Sequence, residues 1–245
     1  MIRSFIPITI GSAVGYQCLN SALDSEVLPL PLPPGKYAGA DRHRWRNAAT
    51  SLANSSISAA IALFCFLRHP ELWSSPEFFY CVSAEVCSAV ISGYLIYDSF
   101  DLALHNSLSK VWTLLIHHAI MGFILFTISI EETAMGVVLI TLLCEFSAIF
   151  LHSRLLLLMY GISKRSPFYA VHRALNLLTF VLLRIAPIAY SLYVSATIRH
   201  LPTYLAVSTP PLMGSMLAIN LVLFWRLLRS DFLKPSGKAN HIMDN

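Results

Sequence analysis

Two adjacent histidines, His117 and His118, sit inside the run KVWTLLIHHAIMGFILF from Lys110 to Phe126, which is apolar enough to cross a bilayer. Ionisable side chains at membrane depth are costly and usually functional. Imidazole titrates near neutrality, so one ring can serve as base or nucleophile while the other orients it. Adjacent helical residues project about 100° apart, so the two rings cannot share one axis, but both can border a pore between neighbouring helices. A second group lies in YDSFD, where Asp98 and Asp101 are spaced i, i+3 and His105 continues the face at i+4 from Asp101. With a twin histidine these could ligate a metal, but the ligand spacing matches no recognised motif. A solvated carboxylate pair at the cytosolic rim, attracting Lys110 or Arg173, is the simpler expectation, and no resident metal or cofactor is expected. Asn54, Glu145, Arg184 and Asn220 are further polar side chains inside apolar runs.

The elements that must position these residues follow from composition. Of 245 residues, 56% are hydrophobic and 12% charged, with a mean hydropathy of +0.64, against roughly 25% charged in ordinary soluble domains. This is an integral, all-α polytopic membrane protein with no room for a second, soluble domain and no nucleic-acid role. Windows of about 17 to 25 apolar residues give about seven candidate spans, at 2–22, 46–67, 77–97, 111–130, 133–153, 174–196 and 203–226. In the first, Gly11 and Gly15 form a small-xxx-small pair, yet Pro7 and Gln17 equally suggest an irregular anchor. The span is expected to be retained rather than cleaved as a signal peptide. Five cysteines, none at zinc-binding spacing, argue against a disulfide framework.

Between the spans, PLPLPPG at residues 29–35 predicts a stiff extended connector, and DRHRWRN at 41–47 an interfacial anchor in which Trp45 meets the headgroups. SKRSP at 163–167 serves as a basic topology signal. The triplet Asn54-Ser55-Ser56 falls inside a span, where no glycan can be attached. Seven spans place 13 of the 17 Lys and Arg on one side, Arg3, Arg68 and Arg199 on the other, and Arg184 mid-span. By the positive-inside rule the C-terminus is cytosolic and the N-terminus extracellular or luminal. At 1.5 Å per residue, His117 and His118 lie roughly 9 to 11 Å below the cytosolic boundary, Asn54, Glu145 and Arg184 about 12 to 15 Å, and Asn220 about 9 Å. Polar groups from five spans at one depth are expected to turn inward, with Arg184 paired to Glu145, or else to act as interhelical hydrogen-bonding glue.

Twin histidines in a cytosol-proximal span, an upstream DxxD, a downstream acidic residue and a buried Arg before a Pro, taken with WRNAATSLANSSISAAIALFCFLRHPEL, LLIHHAIMG, CEFSAIFLHSRLLL and LLRIAP, resemble the TLC domain family, named for TRAM, LAG1 and CLN8. The resemblance implies a six-helix TLC-type barrel with an extra N-terminal helix and a long cavity for an acyl chain. It divides the chain into an anchor and proline-rich linker at 1–45, a TLC domain at 46–229 and a cytosolic tail at 230–245. In ceramide synthases of the family the twin histidines carry acyl transfer from acyl-CoA to a sphingoid amine, which maps onto His117 and His118. Those enzymes have His-Asp-x-x-Asp where this chain has Cys144-Glu145-Phe146-Ser147-Ala148, so one carboxylate survives as Glu and the second is Ala. The chain looks more like the TLC domain-containing proteins of the plasma membrane that restrict polyunsaturated phospholipid chains. The expected function is therefore regulation of phospholipid acyl composition and fluidity through a bound phospholipid or acyl chain, with Asn54, Glu145, Arg184 and Asn220 lining the polar end of the cavity. Acyl-CoA-dependent transfer by the histidine pair is the alternative.

Overall fold

Long runs of Leu, Ile, Val, Phe and Ala can satisfy their backbone within a bilayer only as helices or closed barrels of strands. The computed structural model, which describes residues 2–25, 40–198 and 201–233, shows helices and turns with no strand among the described residues. The helices are α1 (Ile2–Asp24), α2 (Ala40–Arg68), α3 (Val82–His105), α4 (Leu108–Glu131), α5 (Met135–Thr141), α6 (Cys144–Met159), α7 (Pro167–Phe180), α8 (Ala186–Thr197) and α9 (Thr203–Leu228). The proline-rich connector, Lys36, Arg199 and the tail from residue 234 lie outside the described residues.

Each expected span falls mainly on helix, with α5–α6 and α7–α8 each covering one, but the span expected at 77–97 begins as helix only at Val82. Five are both long and apolar enough to cross a membrane: Arg42–Arg68, Leu108–Glu131, Met135–Met159, Pro167–Thr197 and Thr203–Leu233. Helices α1 and α3, at 23 and 24 residues, have the length but are more polar. They pack along each other, so much of that polarity is turned toward a partner helix.

The α1–α3 contact has a specific cause. A Cβ on Gly93 of α3 would lie 2.4 Å from the Thr9 carbonyl oxygen and 2.6 Å from the Ser12 Cβ, so the absent side chain lets the two backbones touch. The Ser12 hydroxyl then donates to the Val90 carbonyl at 2.8 Å. Gly11 and Gly15, in contrast, have nothing within 4 Å of a Cβ. The close approach expected of that pair is supplied by the other helix, and α1 is a regular helix rather than an irregular anchor despite Pro7.

Contacts among the remaining spans run from α2 to α6, α6 to α7, the α7–α8 unit to α9, α9 to α4, α4 to α3 and α3 back to α2. Helix α1 lies against α3, with lesser contacts to α2 and α4. The largest apolar core joins residues such as Leu72, Ala84, Leu125, Met135, Leu139 and Ile188. A smaller one holds Leu23, Trp45 and Met159. Trp45 is therefore no headgroup anchor: it is 2% exposed, and its indole N–H donates to the Tyr160 hydroxyl at 3.2 Å. The adjacent Arg42 and Arg46 bind Asp24 at the end of α1. In the SKRSP turn, Ser166 caps α7 by accepting from the Tyr169 N–H at 3.1 Å, with Pro167 at the first helical position.

Candidate functional site

Helix α4 presents the twin histidines in two directions. Their rings meet edge-on, with centroids 5.8 Å apart. His118 is buried and faces α3: its Nδ1 lies 3.0 Å from the Ser99 hydroxyl and its Nε2 3.6 Å from an Asp98 oxygen. The Ser99 hydroxyl donates to the Leu95 carbonyl at 2.6 Å, so Nδ1–H is the donor to Ser99. Nε2 is then left toward Asp98, and that approach is attractive only with a proton between the two groups. The Ser99 hydroxyl thus holds Nδ1 by a hydrogen bond, while Nε2 faces Asp98 across 3.6 Å, too far for one, and stays available for acid–base work.

His117, half-buried, turns the other way, within electrostatic reach of Arg184. Arg184 owes its position to Pro187. A proline has no N–H and its ring crowds the carbonyl of the preceding turn, and the chain accommodates this in a π-helical turn, Val181–Ile185, in which the Ala186 N–H bonds the Val181 carbonyl. That turn carries Arg184, and such bulges often accompany functional sites. The guanidinium donates to the Ser147 hydroxyl at 3.2 Å, the Asn220 side-chain oxygen at 3.3 Å and the Cys144 carbonyl at 3.1 Å. The expected ion pair with Glu145 is replaced by these neutral acceptors. Glu145 is half-buried, neighbours Ser55 of α2, and stays within electrostatic reach of Arg184, as does His152.

Of the residues expected at one depth, His117, Glu145, Arg184 and Asn220 do gather. Asn54 points elsewhere, accepting from the Tyr16 hydroxyl of α1 at 3.0 Å. Glu85, a buried carboxylate on α3, accepts from the Tyr80 and Ser4 hydroxyls.

The supposed rim is the largest departure from expectation. Asp98 and Asp101 are 3% and 5% exposed, not a solvated pair. Asn47 spans them, donating to Asp98 at 2.6 Å and to Asp101 at 3.1 Å. Asp101 also receives the Asn20 amide at 3.3 Å and sits 2.8 Å from His43 Nε2. His105 Nδ1 lies 2.8 Å from the Asp101 carbonyl oxygen and 3.4 Å from its carboxylate. Sequence reasoning missed Asn20, His43, Asn47 and Ser99, because Ser and Asn are common in helices and nothing local marks partners brought in by tertiary packing. Neither Lys110 nor Arg173 serves the pair. Arg173 instead donates to the Asp231 carbonyl at 2.9 Å.

A cavity of about 650 Å³ opens between α1, α3 and α4. Its walls are apolar, Phe5, Ile6 and Ile10 on one side and Leu95, Phe100 and Phe123 on the others, and its polar groups are Thr9, Ser92, Ser99 and His118. None of Asn54, Glu145, Arg184 or Asn220 lines it. From His118 to Phe126 the groove follows α4 for about 12 Å, and the Phe5 and Phe126 rings, 6.0 Å apart, mark the far end.

Fold and site together define a polytopic helical membrane protein with an apolar groove that reaches the buried His118. A family model for the TLC domain matches residues 44–229, and the chain belongs to that family. It is similar to TLC domain-containing protein 2 of Danio rerio, 33% identical over 94% of this chain and 91% of the relative. TLC domain-containing protein 1 of Gallus gallus is 32% identical, covering 92% and 89%, and that of Homo sapiens 29%, covering 95% and 92%. No solved structure matches the chain significantly.

Proposed function

We propose that the protein holds one acyl chain of a membrane phospholipid in the α1–α3–α4 groove and by doing so limits the polyunsaturated phospholipid content, and hence the fluidity, of its membrane. The groove carries this reading: its apolar length suits a chain, and its one ionisable group, His118, stands where an ester or headgroup would meet it. We read the returning ring of contacts among α2, α6, α7–α8, α9, α4 and α3 as the TLC-type barrel, with α1 added outside to complete the groove. On the charge distribution, the end carrying Arg42, Arg46, Arg154 and Arg173 is cytosolic. His118 then receives lipid from the cytosolic leaflet, and the plasma membrane is the compartment.

The second reading is acyl transfer from acyl-CoA, favoured by the Asp98–His118–Ser99 arrangement. His118 would take the proton of an acceptor hydroxyl or amine as that atom attacks the thioester carbonyl, and the thiolate of CoA would leave, protonated by the same ring.

One variant separates these readings from a purely structural role. A side chain on Gly122 meets nothing within 4 Å, so Gly122→Leu fills the groove without displacing backbone. Mass spectrometry of phospholipid retained by purified protein, with lipidomics of expressing cells, should show less bound lipid and a higher polyunsaturated share than with the unaltered chain. Unchanged retention and unchanged lipid composition would overturn the groove reading. Acyl-CoA turnover by purified protein, abolished by His118→Ala, would establish the transferase.

A further inference from the structure

We propose that His43, Asp101 and His105 form a binding site for a divalent transition metal of the zinc class, at the end of the bundle where α1, α2 and α3 meet. The three residues offer two imidazole nitrogens and a carboxylate, a donor set that suits zinc and its neighbours rather than calcium or magnesium. Their ligand atoms lie within 4.8 Å of one another. Tetrahedral zinc with nitrogen and oxygen ligands at about 2.0 to 2.1 Å separates those ligands by about 3.3 Å. His43 Nε2 lies 2.8 Å from Asp101 Oδ2 and His105 Nδ1 3.4 Å from Oδ1, so the two imidazoles approach different oxygens of the one carboxylate at about that spacing.

The imidazoles of His43 and His105 are stacked, centroids 4.1 Å apart and planes 21° from parallel, so the exposed His105 ring has to turn before both in-plane lone pairs can meet one ion. A further observation points to a ligand. Asn20, only 5% exposed, donates its amide N–H to Asp101, yet its own side-chain oxygen is buried with no partner. Three protein ligands leave a fourth tetrahedral position for water, and a metal-bound water would supply the proton that the Asn20 oxygen lacks. Binding requires both imidazoles to change tautomer: His43 moves the proton it donates to the Asp101 carboxylate from Nε2 to Nδ1, and His105 moves its proton from Nδ1 to Nε2, which frees one lone pair on each ring and releases the Asp101 carbonyl. No net proton is lost. His105 is the exposed member, its side chain 45% accessible against 13% for His43 and 3% for Asp101, and gives the metal its way in. Arg42 and Arg46, on the same helix as His43, are engaged by Asp24.

Asn47 joins this site to Asp98 and so to His118, but the inference does not rest on lipid binding. The test uses the full chain, purified in detergent and stripped with a chelator. Zn2+ is titrated by calorimetry, and Co2+ by the visible absorption that a tetrahedral site produces. One equivalent should bind per chain. His43→Gln/His105→Gln should weaken binding by far more than about 10-fold, and Asn20→Leu by about 10-fold, the scale of an outer partner of a metal site. His69→Gln, whose ring pairs instead with Glu71, should leave it unchanged, as should Gly122→Leu. The absence of stoichiometric binding, or equal affinity after removal of both histidines, overturns the proposal. If the double variant does not fold, the exposed His105→Gln alone supplies the same comparison.

Discussion

At the scale of single residues, many polar groups inside the apolar spans are satisfied by buried partners. Arg184 is the clearest case, a cation held by a hydroxyl, an amide oxygen and a backbone carbonyl. A neutral acceptor set needs the full fork, because each unmet acceptor left behind costs about 1 to 3 kcal/mol. Arg184→Met should therefore destabilise the fold by several such increments, seen as a large fall in melting temperature of the detergent-solubilised protein. Arg184→Lys should recover only part of it, since a compact ammonium cannot reproduce the planar fork. If Arg184→Met melted like the unaltered chain, the hydrogen bonds would be bystanders. The identities of His118, Asp98 and Arg184 as residues of interest were legible, since ionisable groups in apolar runs stand out. Their pairings were not: depth along a helix fixes only one coordinate, and the angle around the axis decided that Asp98 faces His118 and that Arg184 meets neutral acceptors rather than Glu145.

At the scale of elements, one missing side chain sets the position of α1. Gly93→Val would drive a branched side chain into the Thr9 carbonyl and the Ser12 backbone segment. Overpacking of this kind costs about 1 to 3 kcal/mol or more, and here backbone has to yield. The expected outcome is separation of α1 from α3, read as increased protease access to α1 and lower thermal stability, whereas Gly15→Val, with open space around it, should be neutral by both measures. The sequence offered a glycine pair in α1 as the packing motif, and the helix pair uses the partner's glycine. A small-xxx-small pattern says that an approach is permitted. Which glycine faces the neighbour follows from how the two helices are rotated. The π turn at Val181–Ile185 was foreshadowed by the Arg-Ile-Ala-Pro run, because Pro187 must disturb the ladder of hydrogen bonds behind it.

For the whole molecule, the groove exists only because α1 covers α3 and α4. A chain beginning at residue 40 retains the matched TLC domain but loses Phe5, Ile6, Thr9 and Ile10 from the groove wall. It should lose retained phospholipid to the extent that Gly122→Leu does, while circular dichroism still reports a helical bundle. Retention equal to that of the full chain would move the lipid site into the ring of spans instead.

Membrane residence, helical class and the family were determined by the sequence itself, because hydropathy, span length and ordered motifs are local or linear properties. The tertiary structure alone decided the rest. It buried Asp98 and Asp101, turned Trp45 inward, and brought Asn20 and His43 to Asp101 from two other helices. It also faced the twin histidines in different directions. These are questions of rotation about helix axes and of which helices are neighbours, and in a chain apolar on nearly every face the hydrophobic pattern leaves both open.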